Sequence, residues 1–64
     1  MDKKQFSMLL SKLRQTIHID FISRHIVKES IDETRKILDK LITEGVIEES
    51  KYAKDYYVIK NVYN

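Results

Sequence analysis

A chain of 64 residues can form only one small domain, and such a domain buries only about 60% of its unfolded surface, which leaves no room for a catalytic cleft. The lack of cysteine excludes disulfides and thiolate metal sites. With 12 basic and 10 acidic residues the net charge is +2, which permits nucleic-acid binding without indicating it. We expect a non-enzymatic, soluble, cytoplasmic protein, since no signal peptide or membrane-length apolar run is present.

The first predicted helix covers about residues 2–15. Asp2 is a suitable N-cap, and Gln5 three residues later completes a capping-box pattern. Apolar residues recur at intervals of three and four, with one more beside them, and together they mark one helix face: Phe6, Leu9, Leu10, Leu13 and Ile17. The pattern predicts an amphipathic helix whose basic residues lie largely off the buried stripe.

A short strand and a second helix are predicted next. Thr16–Ile19 has β-branched residues around His18, which is typical of a brief strand. Asp20 is a suitable cap for a helix over about residues 20–29. In this helix Ile22 and Ile26 lie one turn apart, with Phe21 alongside them.

Ser30 and Glu33 form a second capping-box pattern, which predicts a third helix over about residues 31–44. Its buried stripe is Thr34, Leu38, Leu41 and Ile42. Gly45 follows at the position where helices commonly end in the left-handed conformation that glycine adopts most easily. The connection between the second and third helices is so short that the two must cross steeply, as in a helix-turn-helix.

After the glycine the apolar period changes to two, which predicts a β-hairpin over about residues 46–63. Val46–Glu49 has the pattern of a strand, residues 50–55 are polar and charged like a loop, and Tyr56–Tyr63 is rich in aromatic and β-branched residues. The predicted fold class is α+β, mainly α: a three-helix helix-turn-helix core with a C-terminal hairpin, in a single domain over all 64 residues.

The stretch from Ile31 to Ile47 resembles the third helix and the start of the wing in the winged helix superfamily. The shared features are two leucines three residues apart, Leu38 and Leu41, an acidic last turn, and Gly45 followed by an apolar pair. The resemblance implies a winged helix-turn-helix fold for nearly the whole chain. The resemblance restricts the possible functions less than the fold, because the superfamily includes repressors, replication proteins, RNA binders and protein-docking modules.

In DNA-binding members of that superfamily the third helix lies in the major groove and the wing contacts the backbone or minor groove. By this resemblance the groove-facing positions are Asp32, Glu33, Arg35, Lys36, Asp39 and Lys40. The predicted nucleic-acid-binding residues are Arg35, Lys36, Lys40, Lys51, Tyr52 and Lys54, the last three at the wing tip. The alternative is a solvated helix face with i,i+4 ion pairs, followed by an ordinary hairpin turn. The two carboxylates in the first helical turn weaken affinity for phosphates.

A protein-partner surface is predicted on the last strand. Alternate residues of a strand point to opposite faces, and only one face can lie on so small a core. The other face would then be an exposed aromatic and aliphatic strip, which often marks a partner surface. The predicted partner-binding residues are Tyr56, Tyr57, Val58, Tyr63 and Ile42. Met8 and Val27 are further apolar residues that the core is expected not to accommodate.

The leading functional prediction is a small DNA-binding protein that regulates transcription or supports other DNA transactions. One alternative is a protein-docking accessory subunit of a larger replication, recombination or transcription enzyme, encoded on a mobile element. Another is a homodimeric transcriptional repressor that uses the first helix and last strand as its interface. No cofactor, small-molecule substrate or metal is expected, because His18 and His25 have no convergent ligands and no glycine-rich phosphate loop is present.

Overall fold

The structure is a computed structural model that describes residues 1–60. Over this range the chain forms three helices and one three-stranded antiparallel sheet. In chain order the elements are α1 (Lys3–Lys12), β1 (Ile17–His18), α2 (α-helical over Ile19–Phe21 and π-helical over Ile22–Val27), α3 (Ile31–Thr43), β2 (Ile47–Glu49) and β3 (Tyr56–Ile59). The predicted class, α+β and mainly helical, is confirmed, and the arrangement is compatible with a winged-helix shape.

α1 begins as predicted and ends earlier. The Asp2 carboxylate accepts a hydrogen bond from the Gln5 backbone N–H (2.7 Å), and the Gln5 side chain accepts one from the Asp2 N–H (3.4 Å), so the capping box forms. The helix stops at Lys12, with Leu13 as its C-cap, rather than at residue 15. The Leu13 carbonyl accepts a hydrogen bond from the Ile59 N–H (2.8 Å), because β3 lies alongside and draws the chain out of the helix.

α2 has a different N-cap from the one predicted. The Nδ1 atom of His18, not the side chain of Asp20, caps the helix, and it accepts a hydrogen bond from the Asp20 N–H at 3.0 Å. The helix widens into its π-helical turn and then stops at Lys28, which has a left-handed φ of 60°. The predicted range of 20–29 therefore begins one residue late and runs past the end of the helix.

α3 starts and ends on the predicted signals. Ser30 Oγ accepts a hydrogen bond from the Glu33 N–H (3.1 Å), although the Glu33 carboxylate is paired with Lys36 and does not complete the predicted capping box. Gly45 has a φ of 79°, and the N–H that follows it donates to the Leu41 carbonyl (2.9 Å). This left-handed ending satisfies carbonyls that the last turn of a helix would otherwise leave without a partner.

The predicted hairpin is confirmed over the described residues, and a third strand joins it. β3 lies in the centre of the sheet, with β2 on one side and the two-residue β1 on the other, both antiparallel to it. Tyr57 of β3 lies opposite Ile17 on one side and opposite Glu49 on the other. Residues 61–63 of the predicted last strand lie outside the described residues.

The core lies where the three helices pack against the sheet. Its buried side chains are Leu9, Leu13, Ile19, Ile22, Ile26, Val27, Leu38, Leu41, Ile47 and Tyr57. The expectation that Val27 would not fit this core is wrong, whereas Met8 is exposed as expected. Thr34 is fully buried, and within residues 1–60 its hydroxyl has no hydrogen-bond partner. None of the helices within residues 1–60 is long and apolar enough to cross a membrane.

Candidate nucleic-acid interface

α3 presents most of its charged residues to solvent. Its buried side packs through Thr34, Leu38 and Leu41, which leaves the opposite side free. The exposed charged residues on that side are Asp32, Glu33, Lys36, Asp39 and Lys40, with Arg35 half-buried at its edge. The structure therefore places the three predicted basic contacts of this helix on or beside one accessible face, together with as many carboxylates.

Arg35 is engaged in an ion pair across the fold. Its Nη1 atom lies 2.8 Å from Oδ1 of Asp55, and the two side chains are 41% and 24% exposed. The hydrogen bond from Arg35 is the main cause that lowers the pKa of Asp55, and it outweighs the partial burial that acts in the opposite direction. The i,i+4 ion pairs considered as the alternative reading of this helix would have joined Arg35 to Asp39. The observed pair instead ties α3 to the turn between β2 and β3, and Arg35 is not free to contact a ligand.

Lys36 remains available although it has an ion-pair partner. Its Nζ atom lies 3.3 Å from Oε2 of Glu33, one turn earlier, and both side chains are largely exposed. Exposed pairs of this kind contribute only about 0–1 kcal/mol, so a phosphate can displace the carboxylate at little cost. The carboxylate of Glu33 would then remain close to that phosphate, which reduces the gain.

The hairpin turn, residues 50–55, is fixed at its base and open at its tip. The Asp55 N–H donates to Glu49 Oε2 (2.8 Å), and the Tyr52 N–H donates to Ser50 Oγ (3.1 Å). The Tyr52 side chain nevertheless lies almost wholly in solvent, at 95% exposure. The two lysines of the turn, Lys51 and Lys54, are also exposed. A basic pair beside an open aromatic ring is therefore presented next to α3.

The positive charge of the molecule is concentrated elsewhere. Residues 1–28 contain six basic and two acidic residues, whereas residues 29–60 contain six basic and eight acidic residues. Sequence reasoning missed this asymmetry because it counted charges over the whole chain. A count for each half would have directed attention to the first two helices, whose surface is considered further below.

The predicted partner strip on β3 is not continuous. Tyr57 is 1% exposed and lies in the core, so the prediction that it binds a partner is wrong. Val58 and Ile42 are half-buried. Tyr56 is the most exposed of the described members, and its ring packs edge-on against His18 at a centroid distance of 4.9 Å. Tyr63 lies outside the described residues.

The described residues contain no cluster of three or more potential metal-ligating side chains of His, Asp or Glu. The two histidines have other contacts: His18 caps α2, and the His25 ring packs at a tilt against Phe21.

Comparison with known proteins does not assign the chain to a family. No known protein family, curated protein or solved structure shows a significant match to it.

Proposed function

We propose that this chain is a non-enzymatic winged-helix domain that binds duplex DNA through α3 and the wing, which is the β2–β3 hairpin with its turn. The proposed contacts are Lys36, Lys40, Lys51, Tyr52 and Lys54. Arg35 is removed from the set of contacts predicted from the sequence, because its guanidinium is held by Asp55. It has a positioning role instead.

The observation that supports this proposal best is the ion pair between Arg35 and Asp55. It joins the exposed side of α3 to the base of the turn that carries Lys51 and Lys54. In a winged-helix complex both elements must reach the same duplex, one in the major groove and the other at the backbone. An ion pair between them keeps their spacing constant in the free protein, which lowers the conformational entropy lost when DNA binds.

The charges on this surface indicate modest affinity. Four lysines that each neutralise one phosphate would give a slope of about −3.6 for the logarithm of the binding constant against the logarithm of salt concentration. The carboxylates of Asp32, Glu33 and Asp39 lie on the same side of α3 and oppose part of this attraction. We therefore expect sequence-tolerant or modestly specific binding that is strong only at low salt.

Fluorescence anisotropy with a labelled random duplex, measured across a salt series, tests the proposal. The variant Lys36→Glu/Lys54→Glu should weaken binding by more than about tenfold at low salt and reduce the magnitude of the salt slope by about 1.8, or 0.9 for each lost phosphate contact. The matched control is Lys3→Glu/Lys60→Glu, which alters two exposed lysines that belong to neither α3 nor the turn and changes the net charge equally.

Equal losses in the two double variants would show that net charge alone drives binding, and would contradict the proposed surface. Absence of duplex binding by the unaltered protein at low salt would contradict the function itself. The protein-docking role predicted from the sequence would then become the leading hypothesis.

A further inference from the structure

The solvent side of α2 carries two aromatic rings in contact with each other. Ile22, Ser23, Ile26 and Val27 are buried, so the exposed residues of the helix and its C-cap are Asp20, Phe21, Arg24, His25 and Lys28. The Phe21 and His25 rings lie 4.7 Å apart between centroids and are tilted by 44°. Phe21 is 40% exposed although it is a large apolar residue. Neither ring is used by the interface proposed above.

α1 lies beside this ring pair and adds further cations. The Gln5 side-chain amide donates to the Val27 carbonyl (3.3 Å), which holds the start of α1 against the end of α2. Two open grooves follow the junction of the helices. The residues that line one of them include Asp2, Lys4, Met8, His25 and Lys28, and those that line the other include Lys12, Arg14 and Phe21. Because the two rings are in contact, they bridge the grooves. We call this surface the α1–α2 face.

The α1–α2 face is basic because little acidic charge opposes its cations. The only carboxylates in the first 28 residues are those of Asp2 and Asp20. Asp2 is held in the capping box of α1, and Asp20 lies beside His18, with 4.0 Å between Oδ2 and Nδ1. The capping hydrogen bond engages the Asp2 carboxylate, whereas His18 Nδ1 accepts the Asp20 N–H and leaves the Asp20 carboxylate as a negative charge at the start of α2.

Lys28 occupies a backbone conformation that favours glycine. It ends α2 with a φ of 60°, in the left-handed region where a side chain introduces strain. Residues held in such conformations often serve function rather than stability. A lysine at this position keeps a cation at the edge of the groove that His25 lines.

We propose that the α1–α2 face binds single-stranded nucleic acid, with bases stacking on Phe21 and His25 and phosphates contacting Lys4, Lys12, Arg14 and Lys28. Open aromatic rings beside cations form the usual platform for unpaired bases. A duplex does not suit this face, because its bases are already stacked on one another. An acidic protein suits it less well, because its carboxylates would pair with the cations and leave the rings of Phe21 and His25 without a stacking partner. The proposal does not depend on duplex binding at α3 and the wing.

A fluorescent reporter can test the proposal at the site itself. The chain contains no tryptophan, so Phe21→Trp introduces a single one into the ring pair, and Tyr52→Trp places a matched reporter at the wing tip. Titration with oligo-dT and oligo-rU at low salt should quench the fluorescence of the first variant in a saturable, salt-sensitive manner. Quenching by either oligonucleotide supports the proposal and shows which sugar is preferred. Quenching confined to the Tyr52→Trp variant would overturn it.

Substitutions supply the second arm of the test. Phe21→Leu keeps an apolar side chain and removes the ring, and it should weaken oligo-dT binding by about tenfold, the effect of losing one stacked base. Lys12→Glu/Lys28→Glu should weaken it by more than about tenfold. Lys3→Glu/Lys60→Glu changes the net charge equally, alters residues of neither proposed surface, and should weaken it by less than about threefold.

Circular dichroism should first show that each variant is folded. Unchanged oligo-dT binding by both Phe21→Leu and Lys12→Glu/Lys28→Glu would overturn the assignment. Saturable quenching of Phe21→Trp by polyglutamate, without quenching by either oligonucleotide, would also overturn it and identify an acidic polypeptide as the ligand. Because duplex binding is measured separately, failure of this proposal is distinguishable from failure of the proposed function.

Discussion

Replacement of Lys28 by glycine should make the protein more stable while it weakens single-strand binding. The residue ends α2 with φ 60° and ψ 44°, and its N–H donates to the Ser23 carbonyl. Within residues 1–60 its side chain makes no ion pair. Glycine keeps the backbone hydrogen bond and removes the clash that a Cβ atom creates in this conformation.

The size of the effect follows from two opposing contributions. Relief of the left-handed strain stabilises the folded state by about 1–2 kcal/mol. The greater freedom of glycine in the unfolded chain reduces this by about 0.5–1 kcal/mol. The mid-range values of the two contributions give an expected net gain of about 0.75 kcal/mol in the free energy of unfolding. For a domain of this size each 1 kcal/mol raises Tm by about 4–8 °C, so Tm should rise by roughly 3–6 °C.

Thermal and urea denaturation followed by far-UV circular dichroism measure the change. The m-value should stay constant, because the same surface is exposed on unfolding. The control is Glu29→Gly at the next residue, which does not have a positive φ and should lose about 0.5–1 kcal/mol. A Lys28→Gly variant no more stable than the parent protein would refute the argument from backbone strain. Weaker oligo-dT binding by a variant of higher Tm would also exclude unfolding as the cause of the loss.

Two further predictions concern Thr34 in the core and the ion pair that joins α3 to the hairpin turn. Thr34→Val removes the buried hydroxyl that has no partner within residues 1–60, and it should raise the free energy of unfolding by about 1 kcal/mol in urea titrations. The control Thr34→Ser keeps the hydroxyl and loses a methyl group, so it should lower the free energy of unfolding. Arg35 lowers the pKa of Asp55 in the folded protein below its value in the unfolded chain. The ion pair therefore stabilises the fold above about pH 4, and this stabilisation is lost as the pH falls through the lowered pKa. Asp55→Asn tolerates the positive φ of 67° at this position and should flatten the dependence of the urea midpoint on acidic pH. A slope equal to that of the parent protein would show that the ion pair is not coupled to folding.

Local signals in the sequence predicted the helix boundaries that depend on neighbouring residues. The capping box of Asp2 and Gln5, the Ser30 cap and the left-handed Gly45 each form within a few residues of chain, and each is present as predicted. The apolar stripes of the helices were predictable for the same reason, because one helical period determines which side chains share a face. These features do not require knowledge of where the remainder of the chain lies.

Contacts between residues far apart in the sequence determined the structural features that the sequence did not predict. The alternation on β3 separates Tyr56 from Tyr57, yet only the position of the sheet on the helices places Tyr57 in the core. Arg35 lies 20 residues from Asp55, and no local spacing rule predicts that pair. α1 ends early for a similar reason, since the Leu13 carbonyl bonds to β3.

The two candidate sites differ in the same way: one follows from local sequence patterns and the other from tertiary packing. The exposure of Lys36, Lys40 and the turn lysines follows from helix period and hairpin pattern, so residue spacing alone was sufficient to propose them. The α1–α2 face required the packing of two helices, because its grooves and its stacked rings exist only where α1 and α2 meet. The sequence therefore determined the elements and the charges that each one carries. Tertiary packing determined which charges and rings lie together, because helix period and strand alternation describe one segment at a time and a binding surface is assembled from several.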